Sequence, residues 1–181
     1  NNVETFCTIP HIILNGARWF QNLSSSEDAG TKIYGVSGRV KRPGCYELPI
    51  GVPLPELIAE QCGGMQPGYQ IQAVIPGGAS TDFLAADELN IKLDFTSLET
   101  IGNRLGTAGV MIVDDKTCLV GFAANLQQFF AQESCGWCTP CREGLPWMHD
   151  IIQAFEEGNG SPEELGILLE QAGPIGHNAF C

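Results

Sequence analysis

The sequence has little positive charge. Nine Lys and Arg residues stand against 21 Asp and Glu residues, which gives a formal net charge of -12 at pH 7. A field of that sign repels phosphate backbones and anionic lipid headgroups. We therefore expect no nucleic-acid binding and no electrostatic docking on a membrane.

Long hydrophobic runs are also missing. The longest apolar stretches, residues 108–113 and 120–126, fall far short of the roughly 20 residues that a transmembrane helix requires. No signal-peptide pattern opens the chain. The sequence therefore predicts no direct membrane insertion, and any membrane contact would pass through partner proteins.

Charged residues are scarce, at 17%, whereas hydrophobic residues make up 44% of the chain. That apolar content supplies a packed core and argues against disorder, and the low charge leads us to expect surfaces covered by partners. The 181 residues have room for one ordinary domain or two small ones. Because no initiating Met is present and the last residue is Cys181, we expect a fragment of a longer protein.

Apolar periodicity divides the chain into three predicted domains of an α+β fold. Residues 3–22 have helical spacing interrupted near Pro10, and residues 1–25 are interpreted as the end of a preceding domain. Residues 30–115 follow the order β-β-α-β-β of a small β-grasp domain. The predicted elements are two hairpin strands at 32–40 and 45–50, a helix at 53–62 and strands at 71–75 and 107–113.

Residues 116–181 are predicted to form a helical domain. One apolar helix leads into Glu133, and a helical hairpin follows, broken at residues 158–160. Its second helix begins at Ser161 with a capping box and is predicted to stop at Gly173-Pro174. The predicted buried stripe of this last helix consists of Leu165, Leu168, Leu169 and Ala172.

Three of the eight cysteines, Cys135, Cys138 and Cys141, recur every third residue. They are too close in sequence for an ordinary disulfide framework, but thiolates with this spacing bind three corners of a 4Fe-4S cluster from one loop. Structural zinc more often uses two separated Cys-x-x-Cys knuckles, and no second knuckle exists here. The triplet therefore predicts an iron-sulfur site.

A cuboidal cluster takes a fourth ligand. The two helices of the predicted hairpin have similar length, so the chain would run away from the cysteine triplet and return to it. We therefore predict that Cys181 is this ligand, with Cys118 as the alternative. Cys7, Cys45, Cys62 and Cys118 are otherwise expected to be buried structural thiols.

Two neighbours of the triplet are candidates for contacts with the cluster. Gly136 allows backbone conformations in which N–H groups point at the cluster sulfurs. Arg142 is a candidate charge partner for an anionic cluster. An equally good interpretation of Arg142 is a solvated surface residue.

Other signals favour structure over chemistry. The glycine-rich stretch 76–81 lacks the Lys of a P-loop and predicts a tight turn, and Gly102 and Gly106 predict loop geometry. No Ser or Cys nucleophile stands beside a base, so hydrolytic catalysis has no support. Asp114, Asp115 and Glu133 are expected to be surface or capping carboxylates.

Residues 133–147, with the sequence ESCGWCTPCREGLPW, resemble the flavoprotein subunit of respiratory NADH:quinone oxidoreductase, complex I. The stretches 1–5, 35–44 and 76–78 are also similar to that family. The resemblance implies the last helices of a flavin domain, a β-grasp domain and a helical bundle holding a 4Fe-4S cluster.

The resemblance also implies a role. In the family, NADH as substrate reduces FMN, and electrons then leave singly through the cluster. Cys135, Cys138, Cys141 and Cys181 match the cluster ligands, and Asn1 and Asn2 match positions close to FMN. The implied partners are the upstream part of the same subunit, a 2Fe-2S thioredoxin-like subunit and a large iron-sulfur subunit. The implied location is the peripheral arm, on the cytoplasmic side of the bacterial inner membrane.

Two departures qualify the resemblance. The glycine-rich flavin and NADH site expected upstream is absent, so we expect no NADH oxidation by this chain alone, and Ala179 replaces a hydroxyl residue of the family. Two alternatives remain: the diaphorase subunit of an NAD-coupled hydrogenase or formate dehydrogenase, and a zinc-stabilised β-grasp interaction module. Iron and sulfide content separates the zinc alternative from electron transfer.

Overall fold

The computed structural model describes residues 2–180. The chain divides between Lys116 and Thr117 into two compact units, each described here by itself. The predicted domain boundaries stay a prediction. The first unit contains α1 (Val3–Asn15), α2 (Ala17–Gln21), β1 (Thr31–Gly38), β2 (Gly44–Pro49), β3 (Val52–Pro53), α3 (Leu54–Glu56), a π-helical turn (Leu57–Gln61), β4 (Ile71–Ile75), β5 (Leu84–Ala85), β6 (Lys92–Leu93), α4 (Phe95–Glu99) and β7 (Gly109–Asp114). The second contains α5 (Leu119–Gln132), α6 (Thr139–Glu156) and α7 (Pro162–Asn178).

The break between α1 and α2 lies at Gly16, and the predicted interruption near Pro10 is wrong. Proline removes one backbone hydrogen bond from a helix, but its φ is compatible with helical structure, so α1 continues through Pro10. Gly16, at φ 88° and ψ 160°, has left the helical region. The apolar side chains of α1 are largely exposed, among them Val3 and Leu14 at 78% and 80%.

The first unit is built on a five-stranded mixed sheet in the order β2-β1-β7-β4-β5. The predicted hairpin is confirmed, because β1 and β2 pair antiparallel with Tyr34 opposite Tyr46. Strand β7 pairs in parallel with β1, with Val36 opposite Val110. The first and the last strand of this unit therefore form a neighbouring pair inside the sheet.

The core lies on one side of this sheet, where the alternating inward residues of β1 and β7 meet the helical segment after β3. That segment is shorter than predicted, since α3 has three residues and the next turn is π-helical, with Cys62 N–H donating to Leu57 O at 3.1 Å. The fully buried side chains include Tyr34, Leu54, Leu57, Leu93, Leu98 and Leu105.

Tyr34 places a polar group in this core. Its hydroxyl donates to the carbonyl oxygen of Leu93 at 2.9 Å. Burial, and next the negative charges of Asp94 and Glu4, raise the pKa of Tyr34 above its ordinary value. The folded chain therefore keeps this phenol protonated under conditions in which the unfolded chain ionises it.

The Tyr34→Phe variant is expected to lose about 1–2 kcal/mol of unfolding free energy, because the Leu93 carbonyl loses its donor. Since the folded-state pKa is raised, the contribution of the wild-type phenol is complete below the unfolded pKa of about 10 and falls as pH rises above it. Urea unfolding at pH 8 and at pH 10.5 measures both effects. An equal pH dependence in the variant and the wild type would contradict this assignment.

The second unit is a run of three helices in which α6 packs against both α5 and α7. The contacts include Gln127 Nε2, which donates to the Leu145 carbonyl at 3.0 Å, and the buried side chains of Ala124 and Ile151. Among the helices formed by residues 2–180, none combines the length and the hydropathy that crossing a bilayer requires.

The predicted start of α7 is confirmed and its predicted end is wrong. Ser161 and Glu164 form the capping box, with Ser161 N–H donating to Glu164 Oε2 at 2.7 Å. The helix continues through Gly173-Pro174 to Asn178, since a single proline removes one bond and keeps a helical φ. The predicted buried stripe is also wrong: Leu165, Leu169 and Ala172 are exposed, and Leu168 is half-buried.

Candidate metal centre

The cysteine triplet lies at the connection between α5 and α6. Helix α5 ends at Gln132, and its C-cap residue Glu133 donates its N–H to the Phe129 carbonyl at 2.9 Å. Cys135 follows in an exposed loop, Cys138 is the N-cap residue of α6, and Cys141 lies in the first turn of that helix. Cys138 and Cys141 are half-buried. One loop and one helix start therefore position all three sulfurs.

The N-terminal end of α6 favours anionic ligands. Its first intrahelical bond runs from Arg142 N–H to Cys138 O at 2.9 Å, so the N–H groups of Thr139 and Cys141 precede the helical ladder. Pro140 lacks an N–H group at a position where the helix does not use one. Cys138 and Cys141 therefore lie at the positive end of an 18-residue helix.

Ser134 contacts the triplet from the other side of the loop. Its Oγ lies 3.2 Å from Cys141 Sγ and accepts a hydrogen bond from the Gly136 N–H at 3.2 Å. Sequence reasoning missed this residue. The sequence shows a hydroxyl side chain directly before the first cysteine of the triplet. Only the structure shows that this side chain contacts Cys141, seven residues further along the chain.

Gly136 and Arg142 brace the loop. Gly136 has a φ of 75°, which a residue with a Cβ adopts only under strain, and its carbonyl accepts a bond from Arg142 Nη1 at 2.8 Å. Arg142 Nε also pairs with Glu143 Oε1 at 2.8 Å, and its side chain is 47% exposed. The guanidinium thus holds the segment that joins Cys135 to Cys138.

Within residues 2–180, no three His, Cys, Asp or Glu side chains converge on a point where a single metal ion would be bound. A mononuclear site brings its donors to within about 2.3 Å of one ion, whereas each thiolate of a cuboidal cluster binds a different iron. The absence of such a group among the described residues therefore concerns sites for a single metal ion, not sites for a cuboidal cluster.

The predicted fourth ligand, Cys181, lies outside the described residues. Helix α7 approaches the cysteine-bearing end of α6, because a Cβ at Gly144 would meet Ile175 Cδ1 at 3.1 Å. Gly144 comes three residues after Cys141, and Ile175 six residues before Cys181. The returning helix thus contacts the first part of α6.

The expectation of buried structural thiols holds for Cys62 alone. Cys62 is fully buried, and burial is the main cause that raises its pKa. Cys7, Cys45 and Cys118 are exposed, so the expectation is wrong for them. Cys7 lies in α1, which has no buried residue, and Cys45 lies in β2, an edge strand of the sheet. Cys118 is the N-cap residue of α5.

Asn2 is the N-cap of α1, and its Oδ1 accepts a bond from Thr5 N–H at 3.1 Å. Asn1, the other predicted flavin contact, lies outside the described residues. The amide oxygen of Asn2 therefore has a structural role, and its NH2 group is the donor that the cap does not use.

The glycine-rich stretch after β4 is a tight turn, as predicted. Gly77 N–H donates to Thr81 Oγ1 at 3.1 Å, and a Cβ at Gly77 would lie 2.5 Å from the Leu105 carbonyl oxygen. Of the three carboxylates expected at the surface, Asp115 and Glu133 are exposed. Asp114 is buried and accepts a bond from Lys116 N–H at 3.0 Å.

Two regions match known families. Residues 121–181 match the NADH-ubiquinone oxidoreductase-F iron-sulfur binding region, and residues 33–84 match the SLBB domain. Along the chain, the match to the SLBB domain therefore precedes the match to the iron-sulfur binding region. The prediction of a mixed α and β chain with a β-grasp-like domain is confirmed.

The resemblance seen at residues 133–147 is confirmed over the whole chain. All of it aligns with the C-terminal part of the F subunit of the NADH-quinone oxidoreductase of Escherichia coli (strain K12), at 51% identity over 41% of that protein. The corresponding protein of Mycobacterium bovis is 40% identical over the full chain and 40% of its own length. The chain thus spans about two fifths of these curated relatives.

A solved structure shares the fold. A chain of an NAD+-reducing [NiFe]-hydrogenase in the H2-reduced state matches all of this chain with a TM-score of 0.86 and 31% identity, and the match covers 30% of that chain.

Proposed function

We propose that this chain is the electron-transfer part of an NADH:quinone oxidoreductase flavoprotein subunit, which passes electrons from FMN through a 4Fe-4S cluster toward quinone. The observation that carries the proposal is the placement of Cys135, Cys138 and Cys141 at the N-terminal end of α6. The match of residues 121–181 to an iron-sulfur binding region and the 51% identity to the Escherichia coli protein support it.

The described residues fit an iron-sulfur cluster chemically. Three thiolates are soft ligands for iron, and the N-terminal end of α6 stabilises their negative charge. The Ser134 hydroxyl and the N–H groups in the first turn of α6 are hydrogen-bond donors, and sulfur ligands of a cluster accept such hydrogen bonds. When bound, the cluster supplies one-electron redox chemistry, and these residues hold it and set the charge around it.

Cys181 is proposed as the fourth ligand. The contact between Ile175 and the Gly144 position brings α7 to the first part of α6. The chain from Ile175 is helical to Asn178 and has three more residues to Cys181, so it spans at most about 15 Å, which is enough for Cys181 to reach the loop from there. Cys118 is the alternative, but its Sγ already donates to Glu156 Oε2 at 2.8 Å, so this side chain has a partner within the protein.

Gly136 and Arg142 are proposed to shape the cluster environment through the loop that they hold. Asn1 and Asn2 are proposed to lie near FMN, with the Asn2 NH2 group as the donor. The bulk of the FMN and NADH site is proposed to belong to an upstream part of the subunit, with which the exposed apolar face of α1 is consistent.

The proposed partners are the remaining subunits of the oxidoreductase, in particular a 2Fe-2S thioredoxin-like subunit and a large iron-sulfur subunit. The proposed location is the peripheral arm, on the cytoplasmic side of the bacterial inner membrane. The net charge of -12 supports attachment through proteins, because anionic headgroups repel such a surface.

The second candidate is the diaphorase part of an NAD-coupled hydrogenase, which the fold match to the NAD+-reducing hydrogenase supports. The identity to that chain is 31%, against 51% to the Escherichia coli oxidoreductase protein, so the respiratory assignment is preferred. Both assign the same cluster to the same cysteines.

Quantitation of iron and acid-labile sulfide in anaerobically prepared protein tests the proposal. We expect about four irons and four sulfides per chain, with an EPR signal on reduction. One zinc per chain and no sulfide would refute electron transfer and establish the zinc-stabilised module. Apo protein that reconstitution with iron and sulfide fails to load would also refute it.

A further inference from the structure

We propose that Ser134 is a positioning residue that donates a hydrogen bond to the sulfur of Cys141 and thereby raises the reduction potential of the cluster. The inference rests on the proposed function, since it concerns a cysteine that ligates iron. It goes further by giving a specific effect to a side chain outside the cysteine set.

The geometry around Ser134 Oγ decides which atom donates. The hydroxyl oxygen accepts from Gly136 N–H at 3.2 Å, which engages an oxygen lone pair and leaves the O–H proton available. The other close partner of this oxygen is Cys141 Sγ, also at 3.2 Å. In the free thiol either atom could be the donor. A cysteine bound to iron is a thiolate without a proton, so the Ser134 hydroxyl must donate.

The backbone fixes this arrangement. Ser134 directly follows Glu133, the C-cap of α5, and Cys141 lies within the first turn of α6. The Gly136 N–H donates to Ser134 Oγ within the same loop, and the bond from Arg142 Nη1 to the Gly136 carbonyl holds that loop. Ser134 is half-buried, so water competes less well for its proton than at an exposed site.

The direction of the effect follows from charge. One-electron reduction makes the cluster and its thiolates more negative, and a donor to a ligand sulfur stabilises the more negative state more strongly. Ser134 should therefore favour the reduced form. Because Cys141 lies in the first turn of α6, at the positive end of the helix, the hydroxyl and the helix act in the same sense.

The Ser134→Ala variant tests the proposal in an anaerobic redox titration of the cluster-loaded full chain, monitored by EPR. At a given potential we expect the ratio of reduced to oxidised cluster to fall about fivefold, the typical effect of one hydrogen bond. At 59 mV per tenfold for one electron, the midpoint moves down by about 40 mV. Ser134→Thr keeps a hydroxyl and should restore the wild-type midpoint.

Ser161→Ala is the matched control, because it removes a hydroxyl from the same unit at the start of α7. Its midpoint should equal that of the wild type. An unchanged midpoint in Ser134→Ala with full iron content overturns the role of Ser134 and leaves the proposed function standing. A wild-type chain that cannot be loaded with a cluster overturns the proposed function itself.

If Ser134→Ala fails to hold a cluster, the wild-type protein still decides the matter. Proton ENDOR of the reduced cluster in H2O and in D2O should show a rapidly exchangeable proton coupled to the spin, and Ser134→Thr should retain it. The absence of such a proton in the wild type would overturn the proposal.

Discussion

The Cys138→Ser variant is expected to lose the cluster, with its visible absorption and its reduced-state EPR signal, and to fall from about four irons per chain to near zero. Cys138 supplies one of three thiolates from a single loop, and an oxygen donor is a poor replacement for thiolate at iron. Because Cys138 is the N-cap of α6 and its side chain makes no capping bond, serine preserves or improves the helix start. The loss would therefore report ligation and not unfolding.

Cys118→Ser is the matched control. This thiol is exposed and belongs to the same unit, so its replacement should leave iron content and spectra unchanged. Cys181→Ser should behave as Cys138→Ser does. Cluster loss in Cys118→Ser together with retention in Cys181→Ser would transfer the fourth ligand to Cys118, and unchanged spectra in Cys138→Ser would refute the cluster assignment.

The Gly38→Ala variant is expected to destabilise the sheet unit by about 3 kcal/mol or more, a drop in Tm of roughly 10 °C or more. Gly38 has a φ of 111°, and a Cβ there would collide with the carbonyl oxygen of Ile112. The same two residues are opposite each other where β1 and β7 pair in parallel, so relief would require the central strands to separate.

Gly35→Ala provides the comparison on the same strand. An added Cβ at Gly35 meets no heavy atom within 4 Å, and its φ is not positive. We expect a change of less than about 1 kcal/mol, with either sign, because alanine restricts the unfolded chain. Circular dichroism during thermal unfolding measures both variants, and equal Tm values would show that the Gly38 geometry is not strained.

The sequence alone predicted the features that depend on local pattern. The two strands predicted at residues 32–40 and 45–50 form the hairpin of β1 and β2, and the capping box predicted the start of α7. The spacing of Cys135, Cys138 and Cys141 indicated iron-sulfur chemistry without any coordinates, because the ligands occupy one short segment.

Predictions that depended on a single helix-breaking residue were less successful. Pro10 was expected to interrupt a helical segment and Gly173-Pro174 to stop a helix, yet both prolines lie inside a helix, since a helix survives the loss of one hydrogen bond when φ stays near its usual value. Burial also could not be read from apolar spacing alone: α1 and α7 have apolar stripes, and neither has a buried residue among those described.

By itself, the amino-acid sequence determined two chemical properties of this protein: which side chains are candidate ligands for soft metals, and the net negative charge that disfavours nucleic acid. Only the tertiary structure decided which residues meet. It paired β1 with the distant β7, brought Ile175 to the Gly144 position and set Ser134 against Cys141. The reason is physical: local periodicity determines the conformation of a segment, whereas contacts between segments depend on how their surfaces pack in three dimensions.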